Sequence, residues 1–599
     1  MHLIRGFILL LALMLPFGAQ AQDQEQAQEL ALELAQEQSQ FQSKPNIVMI
    51  LVDDSALMDF GVYGGEAQTP NIDALAARGV MFTQYRTSPL CSPTRAMLLT
   101  GLDNHRTGIA TIPEMLPAEQ EGKTGYSMAL EPSVLTIADR LRDKGYRTLM
   151  SGKWHMGEEA SEMPQNHGFD RSFALAASGA DNWEDKSYIP YYADAPWFED
   201  GIEASLPEDF YSSKFIVDKI VSYLEETDSS KPFLAYLPFQ AIHIPVQAPP
   251  EFIAKYKGRF DEGWHVLRAE RHKRAQELGF IGSGALLASM PDDAREWDDL
   301  NIEMRALYAA RMEVNAGMLD AMDHHIGRFV SYLKNKGQYE NTIFVITSDN
   351  GPEPNRGDHD RRLRLWMKLN GYHIDLDKIG DKGSWGFIGT EWALAAASPG
   401  SLYKFYATEG GVRAPLIIAG PGIEPRRIHS PAMVTDVTPT LMDMLGVSPA
   451  VQGYIPMTGR SLLPVINGKA QSVYSDDDIR AIEVSGNSAL YKGDYKILRS
   501  ILPVGDGKWR LFNLAEDPSE TKDLSTEQPQ RLQNMLAHYG DYASEMGVLD
   551  MPDGYDSVKQ IGKNAVKRMR ARHGKFILLI GLVLLALLIG FLCWRRKRV

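Results

Sequence analysis

One stretch of sequence indicates the fold class: Asn46-Ile47-Val48-Met49-Ile50-Leu51-Val52-Asp53-Asp54. It is typical of a buried strand that ends in two carboxylates. A short, continuous run of largely β-branched residues is typical of a strand covered on both faces. Comparable runs recur at residues 147–150, 233–237, 343–347 and 416–419. Amphipathic helical patterns separate them, at residues 133–144, 214–225 and 305–335. This alternation predicts an α/β fold with a large parallel or mixed sheet flanked by helices.

The sequence changes character after about residue 475. Short apolar segments at 489–491, 495–499 and 509–512 are separated by Lys-Gly-Asp and Gly-Asp-Gly turn signals. Such spacing predicts a smaller C-terminal antiparallel sheet, followed by a helix over 528–546. We therefore predict a catalytic domain over residues 44–474 and a C-terminal subdomain over residues 475–550.

The two ends of the chain carry apolar runs. Residues 1–21 resemble a signal peptide, with an apolar stretch before a small-residue site, although an uncleaved anchor is the alternative. Residues 22–43 form a Gln/Glu-rich spacer, and residues 551–575 a basic linker. The uncharged run 576–594 is long enough for one transmembrane helix, with a basic cytoplasmic tail over 595–599. These features predict an exported protein on the periplasmic or extracellular face, anchored in the membrane by its C-terminal helix unless that segment is a processed sorting signal.

The net charge and the number of cysteines restrict the possible classes of function further. The formal net charge of -15 argues against a nucleic-acid-binding protein, which usually has a basic face. The chain has 2 cysteines, Cys91 and Cys593, and Cys593 lies inside the predicted membrane span. A disulfide within the exported body is thereby excluded, and an unpaired exported thiol is unusual. Cys91 therefore becomes a candidate functional residue.

Oxygen-bearing side chains follow two of the predicted strands where each strand ends. Asp53 and Asp54 come directly after one strand, and Asp349 and Asn350 follow another. Taken singly, an Asp pair after a strand is more often a turn or a helix cap. Ligands of α/β sheets, however, bind beyond the carboxyl ends of the strands, so these groups are expected to meet. Three carboxylates and an amide oxygen favour calcium or magnesium over zinc.

Basic side chains follow two other strands at the same predicted edge. Lys153 and His155 follow the strand at 147–150, and His243 follows the strand at 233–237. A single lysine or histidine at such a position is usually solvated or simply hydrogen-bonded. Beside a metal site, the group of three suits an anionic ligand that bridges to the metal.

Cys91 lies in the sequence Leu90-Cys91-Ser92-Pro93-Thr94-Arg95, followed by the helical pattern 96–99. Because Pro93 is tolerated in a first helical turn, Cys91 is expected at a helix N-terminus, where the dipole favours anions. Arg95 is four residues further along and shares the helix face of Cys91. The residues alone leave two interpretations open, a nucleophilic cysteine and a buried inert thiol.

The pattern Cys91-x-Pro93-x-Arg95, followed by Thr100-Gly101, resembles the motif of the sulfatase family, in which the cysteine is oxidised to formylglycine (3-oxoalanine). This modification would explain the unpaired exported thiol. Further segments resemble family blocks in family order, at residues 46–54, 69–73, 152–157, 243–249, 348–351 and 409–413. Residues 509–524 resemble the family's C-terminal sheet, and 258–281 a segment of bacterial arylsulfatases. The resemblance covers residues 44–545 and implies the alkaline phosphatase-like fold of sulfatases.

The resemblance also implies a site, a cofactor and partners. The divalent metal, expected to be Ca²⁺, would be held by Asp53, Asp54, Asp349, Asn350 and the formylglycine made from Cys91. The sulfate and the reacting aldehyde would be surrounded by Arg95, Lys153, His155, His243 and Lys404. The implied activity is hydrolysis of a sulfate ester substrate, after a formylglycine-generating maturation enzyme has acted on the chain. No nucleic acid is expected as a partner.

Three alternatives compete with an arylsulfatase-type function. A formylglycine-dependent phosphonate monoester or phosphodiester hydrolase would use the same metal and nucleophile. A catalytically dead, membrane-anchored binding protein would retain only the fold, and a hydrolase with an unmodified cysteine nucleophile would be blocked by thiol alkylation. The loops 172–208 and 356–401 are expected to select the substrate. Their aromatic residues could stack on an aryl or sugar group, namely Trp183, Tyr188, Trp197 and Trp385.

Overall fold

The computed structural model describes residues 44–357 and 360–596, so the predicted signal peptide 1–21 and spacer 22–43 lie outside the described residues. The main sheet contains ten strands: β1 (Asn46–Val52), β2 (Gly79–Arg86), β3 (Arg147–Lys153), β4 (Arg171–Leu175), β5 (Trp197–Glu199), β6 (Ile202–Glu203), β7 (Phe233–Pro238), β8 (Thr342–Ser348), β9 (Leu416–Ala419) and β10 (Arg426–Met433). A second sheet contains β11 (Ile479–Val484), β12 (Asn487–Lys492), β13 (Tyr495–Arg499) and β14 (Trp509–Asn513).

Helices of very different lengths connect and cover these strands. They are α1 (Pro70–Ala76), α2 (Cys91–Thr100), α3 (Asn104–Thr107), α4 (Ile137–Arg142), α5 (Ser212–Glu226), α6 (Pro250–Ile253), α7 (Trp264–Glu277), α8 (Ile302–Asn335), α9 (Arg361–Leu369), α10 (Thr390–Ala396), α11 (Glu409–Val412), α12 (Val437–Met444), α13 (Leu463–Ile466), α14 (Pro529–Met546) and α15 (Ser557–Arg596).

The main sheet has the strand order β10-β2-β9-β8-β1-β7-β3-β4-β5-β6. Strand β1 lies at its centre and pairs in parallel with both β7 and β8. Strand β9 runs antiparallel to β8 and β2, and β5 runs antiparallel to β4, so the sheet is mixed. Every residue of β1, β7 and β8 is buried, as expected of strands covered on both faces. The predicted mixed sheet flanked by helices is confirmed.

The predicted strands are all present, with small changes at their ends. Strand β3 continues to Lys153, three residues beyond the predicted end, because Ser151, Gly152 and Lys153 still pair with β4. The sequence analysis missed β2, β4, β5, β6 and β10 of the main sheet and β11 of the small sheet. Their sequences mix polar and apolar residues, and pairing across the sheet rather than local pattern makes them strands.

The helical predictions hold best for long amphipathic segments. The predicted helix 305–335 corresponds to α8, and 214–225 corresponds to α5. The prediction for 133–144 was too long, because α4 begins only at Ile137. Thr136 caps it, accepting a hydrogen bond from the Asp139 amide while the Asp139 side chain accepts from the Thr136 amide. This reciprocal cap fixes the start of the helix.

The small C-terminal sheet is antiparallel and packs on the main body through buried charges. Glu409 at the start of α11 accepts hydrogen bonds from Arg86 on β2 and from Lys496 on β13. Lys496 also forms an ion pair with Glu520 at 2.6 Å. Because removing one member of a buried ion pair is costly, these contacts tie the small sheet to the body.

Helix α15 corrects one prediction. Among residues 44–357 and 360–596, no helix is long and apolar enough to cross a membrane. The predicted C-terminal transmembrane anchor over 576–594, and with it the membrane-anchored localisation, is therefore wrong. The sequence analysis counted apolar residues in isolation, whereas the structure makes this run the distal part of a helix that begins at Ser557 within the basic stretch. The first turns of α15 pack on the catalytic body, with the buried Asn564 donating to the Glu114 and Leu116 carbonyls.

Candidate active site

The candidate site lies where the central strands of the main sheet end. Asp53 and Asp54 follow β1, and Asp349 and Asn350 follow β8, which pairs with β1 in register so that Val52 lies beside Ser348. Because parallel strands end at the same edge, the four side chains meet there. The Asp54 amide donates to Asp349 Oδ1 at 3.1 Å, and Asp54 itself has a positive φ of 63°. The tight turn after β1 thus directs both aspartates to one place.

The oxygens at this edge form a pocket with cation-binding character. Ligand atoms of Asp53, Asp54, Cys91 and His243 all lie within 4.8 Å of one another. Within the described part of the chain, Asp53 Oδ1, Asp54 Oδ2 and Asn350 Oδ1 are buried without a hydrogen-bond partner. A buried carboxylate oxygen without a partner is costly, and a bound cation would remove that cost. The donor set, rich in hard oxygens, fits calcium or magnesium.

The electrostatics of the carboxylates also suit a bound cation. Burial raises the pKa of Asp54 to about 6, although Lys404 opposes the shift. Burial, reinforced by the neighbouring Asp53 carboxylate, raises the pKa of Asp349 to about 6. Carboxylates crowded in this way resist ionisation together unless a cation joins them.

Cys91 is the first residue of α2 and faces this pocket. Its neighbour Leu90 has extended backbone angles and ends the approach to the helix, and Pro93 falls in the first turn as expected. Cys91 is buried, and burial raises the pKa of its thiol well above the ordinary value. A thiol in this state is a poor nucleophile, because the thiolate is the reactive form.

Arg95, four residues after Cys91, is bound to carboxylates. Its Nε and Nη2 donate to Asp349 Oδ2 at 3.1 and 2.6 Å, and its Nη1 donates to the Lys153 carbonyl. Its Nη2 also lies 3.5 Å from Asp53 Oδ2. Nε, Nη1 and Nη2 of Arg95 thus all donate to groups of the protein itself. Its geometry suits a residue that positions the carboxylates.

Two lysines reach the same pocket from opposite sides. Lys153, at the end of β3, forms an ion pair with Asp53 at 2.6 Å. Lys404 forms ion pairs with Asp54 at 2.7 Å and with Glu353 at 2.8 Å. Burial alone would lower the pKa of Lys404, but Asp54 and its other anionic neighbours hold it well above the ordinary value. The sequence analysis missed Glu353, whose signal is its place three residues beyond Asn350 at the same strand end.

The two predicted histidines differ in their contacts. His155 is buried, and neither of its ring nitrogens has a hydrogen-bond partner among the described residues. The Nδ1–H of His243 donates to the Ile244 carbonyl at 2.6 Å, which leaves Nε2 facing the pocket, 3.8 Å from Asp54 Oδ2. Burial lowers the pKa of both imidazoles well below the ordinary value. Both rings thus present nitrogens that a bound anion or its leaving group could use.

Of the four aromatic residues considered as stacking groups, Tyr188 lies at the site. Its ring meets His243 edge-on with the centroids 5.0 Å apart, and its hydroxyl lies 3.0 Å from Ser178 Oγ. Trp197 is fully buried against Phe173. Trp385 donates its indole N–H to the Tyr188 carbonyl and so supports the loop of Tyr188 from behind. These tryptophans pack the loops down.

Comparisons with known proteins identify the family. The family described as Sulfatase matches residues 45–447. The chain belongs to the sulfatase family. It is 34% identical over 533 residues to an uncharacterized sulfatase of Schizosaccharomyces pombe, covering 86% of this chain and 96% of that one. It is also 34% identical over 446 residues to an arylsulfatase of Klebsiella aerogenes, covering 72% of this chain and 94% of the relative. This sulfatase is accordingly a sulfuric ester hydrolase.

A solved sulfatase-like structure supports the fold of this sulfatase. The crystal structure of Ps i-CgsB with k-i-k-neocarrahexaose aligns with a TM-score of 0.61 at 22% identity, covering 89% of this chain and 99% of that one. At this identity the likeness concerns the fold alone.

Proposed function

We propose that this sulfatase is an arylsulfatase-type enzyme that cleaves sulfate monoesters to alcohol and sulfate, with a formylglycine made from Cys91 and one divalent metal ion, Ca²⁺. The observation that supports the metal best is the set of unpartnered buried oxygens on Asp53, Asp54 and Asn350. With Asp349 and residue 91, they would hold the ion at the end of β1. The formylglycine hydrate would supply the nucleophilic hydroxyl, and the metal would supply positive charge beside it.

The chain's own residues would bind and orient the ester. The N-terminus of α2 places free backbone N–H groups beside residue 91, where they favour the anionic sulfate. Lys153 and Lys404 bring two ammonium groups to the same pocket and would stabilise charge that develops on the sulfuryl oxygens. Arg95 would hold Asp349 in place rather than bind the substrate.

Proton transfer would use groups whose atoms are placed at the pocket. Nζ of Lys404, or Nε2 of His243 once that ring has taken up a second proton, would deliver a proton to the departing alcohol oxygen, since both face the cluster. His155, with both ring nitrogens unpartnered, would take a proton from residue 91 at the end of the cycle, when sulfate leaves. Asp349, next to residue 91, would serve as the base that readies the attacking hydroxyl.

Mass spectrometry of the peptide that contains residue 91 tests the modification. In protein purified from its native host, we expect this peptide to be about 18 Da lighter than the cysteine form, because a thiol has become an aldehyde. The Cys91→Ala variant should show no turnover, because a maturation enzyme cannot convert alanine to formylglycine. An unmodified thiol in an active preparation would contradict the proposal.

Comparing the hydrolysis of 4-nitrophenyl sulfate with that of an aryl phosphonate monoester tests the substrate class. The proposal expects the larger kcat/KM for the sulfate. The reverse order would favour the phosphonate monoester or phosphodiester hydrolase. A modified, metal-loaded protein that hydrolyses neither ester would favour a binding protein.

A further inference from the structure

The first turns of α15, residues 557–572, here called the wall segment, lie against the residues that surround the candidate site. Asn564 is buried and donates to the carbonyls of Glu114 and Leu116 at 3.0 and 2.9 Å. Just before the helix, the Tyr555 hydroxyl donates to the Met115 carbonyl at 2.7 Å. The wall segment is thus attached to the loop 112–116 through Asn564, and the residues just before it through Tyr555.

The loop 112–116 in turn supports the residue next to Cys91. Leu90, Ile112 and Met115 form one buried apolar cluster, against which Ile561 of the wall segment packs. Because Leu90 immediately precedes Cys91, the wall segment lies one layer of side chains away from the start of α2. This closeness places the wall segment beside the proposed nucleophile.

Two arginines tie the wall segment to the opposite side of the site. Arg568 forms an ion pair at 2.7 Å with Glu158, three residues after His155, and its guanidinium lies 4.2 Å from the centre of the Tyr191 ring. Arg572 donates to the carbonyls of Pro190 and Tyr191 at 2.9 and 2.7 Å. Tyr191 belongs to the same loop as Tyr188, which contacts His243. The wall segment therefore connects the residues that follow β3 to the loop that contains Tyr188 and Tyr191.

A cavity lies beside these contacts, and His155 is the residue of the candidate site that lines it. It has a volume of about 380 Å³, and His155 and Gly157 line one side of it. The opposite side is lined by Asn564, Lys567, Arg568 and Ala571 of the wall segment. Ligand pockets typically have volumes of about 300–1,000 Å³, so this cavity lies at the small end of that range. Since His155 belongs to the proposed sulfate site, a sulfate bound there would direct its alcohol into this cavity.

We propose that the wall segment forms one side of the leaving-group pocket and limits the size of the alcohols that fit there. This inference rests on the proposed function for the position of the sulfate. The apolar lining from Leu116, Met128 and Ala571 would contact the ring faces, while Lys567 and Arg568 at the rim remain partly open to solvent. The C-terminal helix, outside the matched family region, is thus a specificity element of the enzyme.

Adding bulk at Ala571 tests the proposal, with Met569→Trp as the matched control. Ala571 lines the cavity, whereas Met569 is an exposed residue of the same helix that does not line it. We expect Ala571→Trp to lower kcat/KM for the two-ring ester 4-methylumbelliferyl sulfate at least about tenfold, and for 4-nitrophenyl sulfate by less than about threefold. Met569→Trp should leave both values within about twofold. Equal behaviour of the two variants would overturn the proposal.

A binding measurement separates this proposal from the proposed function. In a Cys91→Ala background neither ester is turned over, so calorimetry reports the affinity of the pocket alone. Ala571→Trp should weaken binding of 4-methylumbelliferyl sulfate about tenfold, and Met569→Trp should not. If the wild type turns over neither ester while this difference in affinity remains, the proposed function is wrong, but the proposal that the wall segment lines the binding pocket is supported. The proposal for the wall segment is wrong if Ala571→Trp leaves the affinity unchanged, or if the Cys91→Ala protein binds no ester at all.

Removing a contact of the wall segment gives an independent second test. Arg568→Ala deletes the ion pair with Glu158 and should widen the cavity, so the ratio of kcat/KM for the two-ring ester over the one-ring ester should rise at least about threefold. Arg570→Ala removes an equal charge from an exposed position of the same helix and should leave that ratio unchanged. Equal ratios in both variants would overturn the proposal.

Discussion

The guanidinium of Arg95 donates two hydrogen bonds to a single carboxylate oxygen, Oδ2 of Asp349. This pair joins α2, which carries Cys91, to the end of β8, which carries two of the proposed metal ligands. Both side chains are fully buried. The contact therefore fixes the distance between the proposed nucleophile and the proposed metal site.

Replacing Arg95 tests this structural role. Arg95→Ala leaves the Asp349 carboxylate buried without its cation, and we expect the free energy of unfolding to fall by about 3–5 kcal/mol. Arg95→Lys keeps a charge but cannot make both hydrogen bonds, so its loss should be smaller. Urea unfolding at pH 7 measures both, with the exposed Arg570→Ala as control. Wild-type stability in Arg95→Ala would contradict the role.

Calcium should stabilise the folded protein through the unpartnered oxygens. After dialysis against a chelator, added Ca²⁺ at about 100 times its dissociation constant should raise the free energy of unfolding by about 2.7 kcal/mol. Thermal unfolding checks this independently of activity. Asp54→Asn should abolish most of the shift, because it removes a carboxylate whose Oδ2 faces the pocket. Asp209→Asn, at an exposed position, is the control, and an equal calcium shift in Asp54→Asn would refute the site.

Glu353 should matter for turnover through Lys404. Its carboxylate shares the Lys404 ammonium with Asp54, so neutralising it changes where that ammonium lies. We expect Glu353→Gln to lower kcat about 10- to 100-fold, as is usual for residues that orient groups at a metal site, while the calcium-induced thermal shift persists. Steady-state kinetics and thermal unfolding together decide this. An unchanged kcat would show that Lys404 needs no second carboxylate.

A pH-dependent contact should stabilise the junction between the body and the small sheet. His105 lies between Asp103 and Glu483 of β11. Burial alone would lower its pKa, but the hydrogen bonds that its ring donates to these two carboxylates raise the pKa to about 9. Because the folded pKa lies above the unfolded value of 6.5, this stabilisation is complete below pH 6.5 and is lost as the pH rises through about 9. A shift of this size corresponds to about 3 kcal/mol.

Glu483→Gln provides the measurement for this contact. It removes the charge that holds the proton on His105, so the free energy of unfolding should depend less on pH between 6.5 and 9 than in the wild type. Urea unfolding across that range gives the two slopes. Identical slopes would mean that His105 does not titrate as inferred.

Three features could be predicted from the sequence alone: the central strands, their terminal carboxylates and the helix that begins at Cys91. Buried parallel strands have continuous apolar patterns, and the position of Asp53 after β1 or Asp349 after β8 follows directly from where such a pattern ends. The family motif around Cys91 is equally local. These features could be predicted because their information lies within a few consecutive residues.

Contacts between groups that are distant in the chain could be seen only in the tertiary structure. In the folded protein Arg95 lies against Asp349, and Glu353 lies against Lys404. The tertiary structure also places the wall segment of α15 beside the site, where the sequence analysis predicted a basic linker. Contacts between residues hundreds of positions apart depend on how the strands and helices pack, and no local pattern of charge or hydrophobicity records that packing.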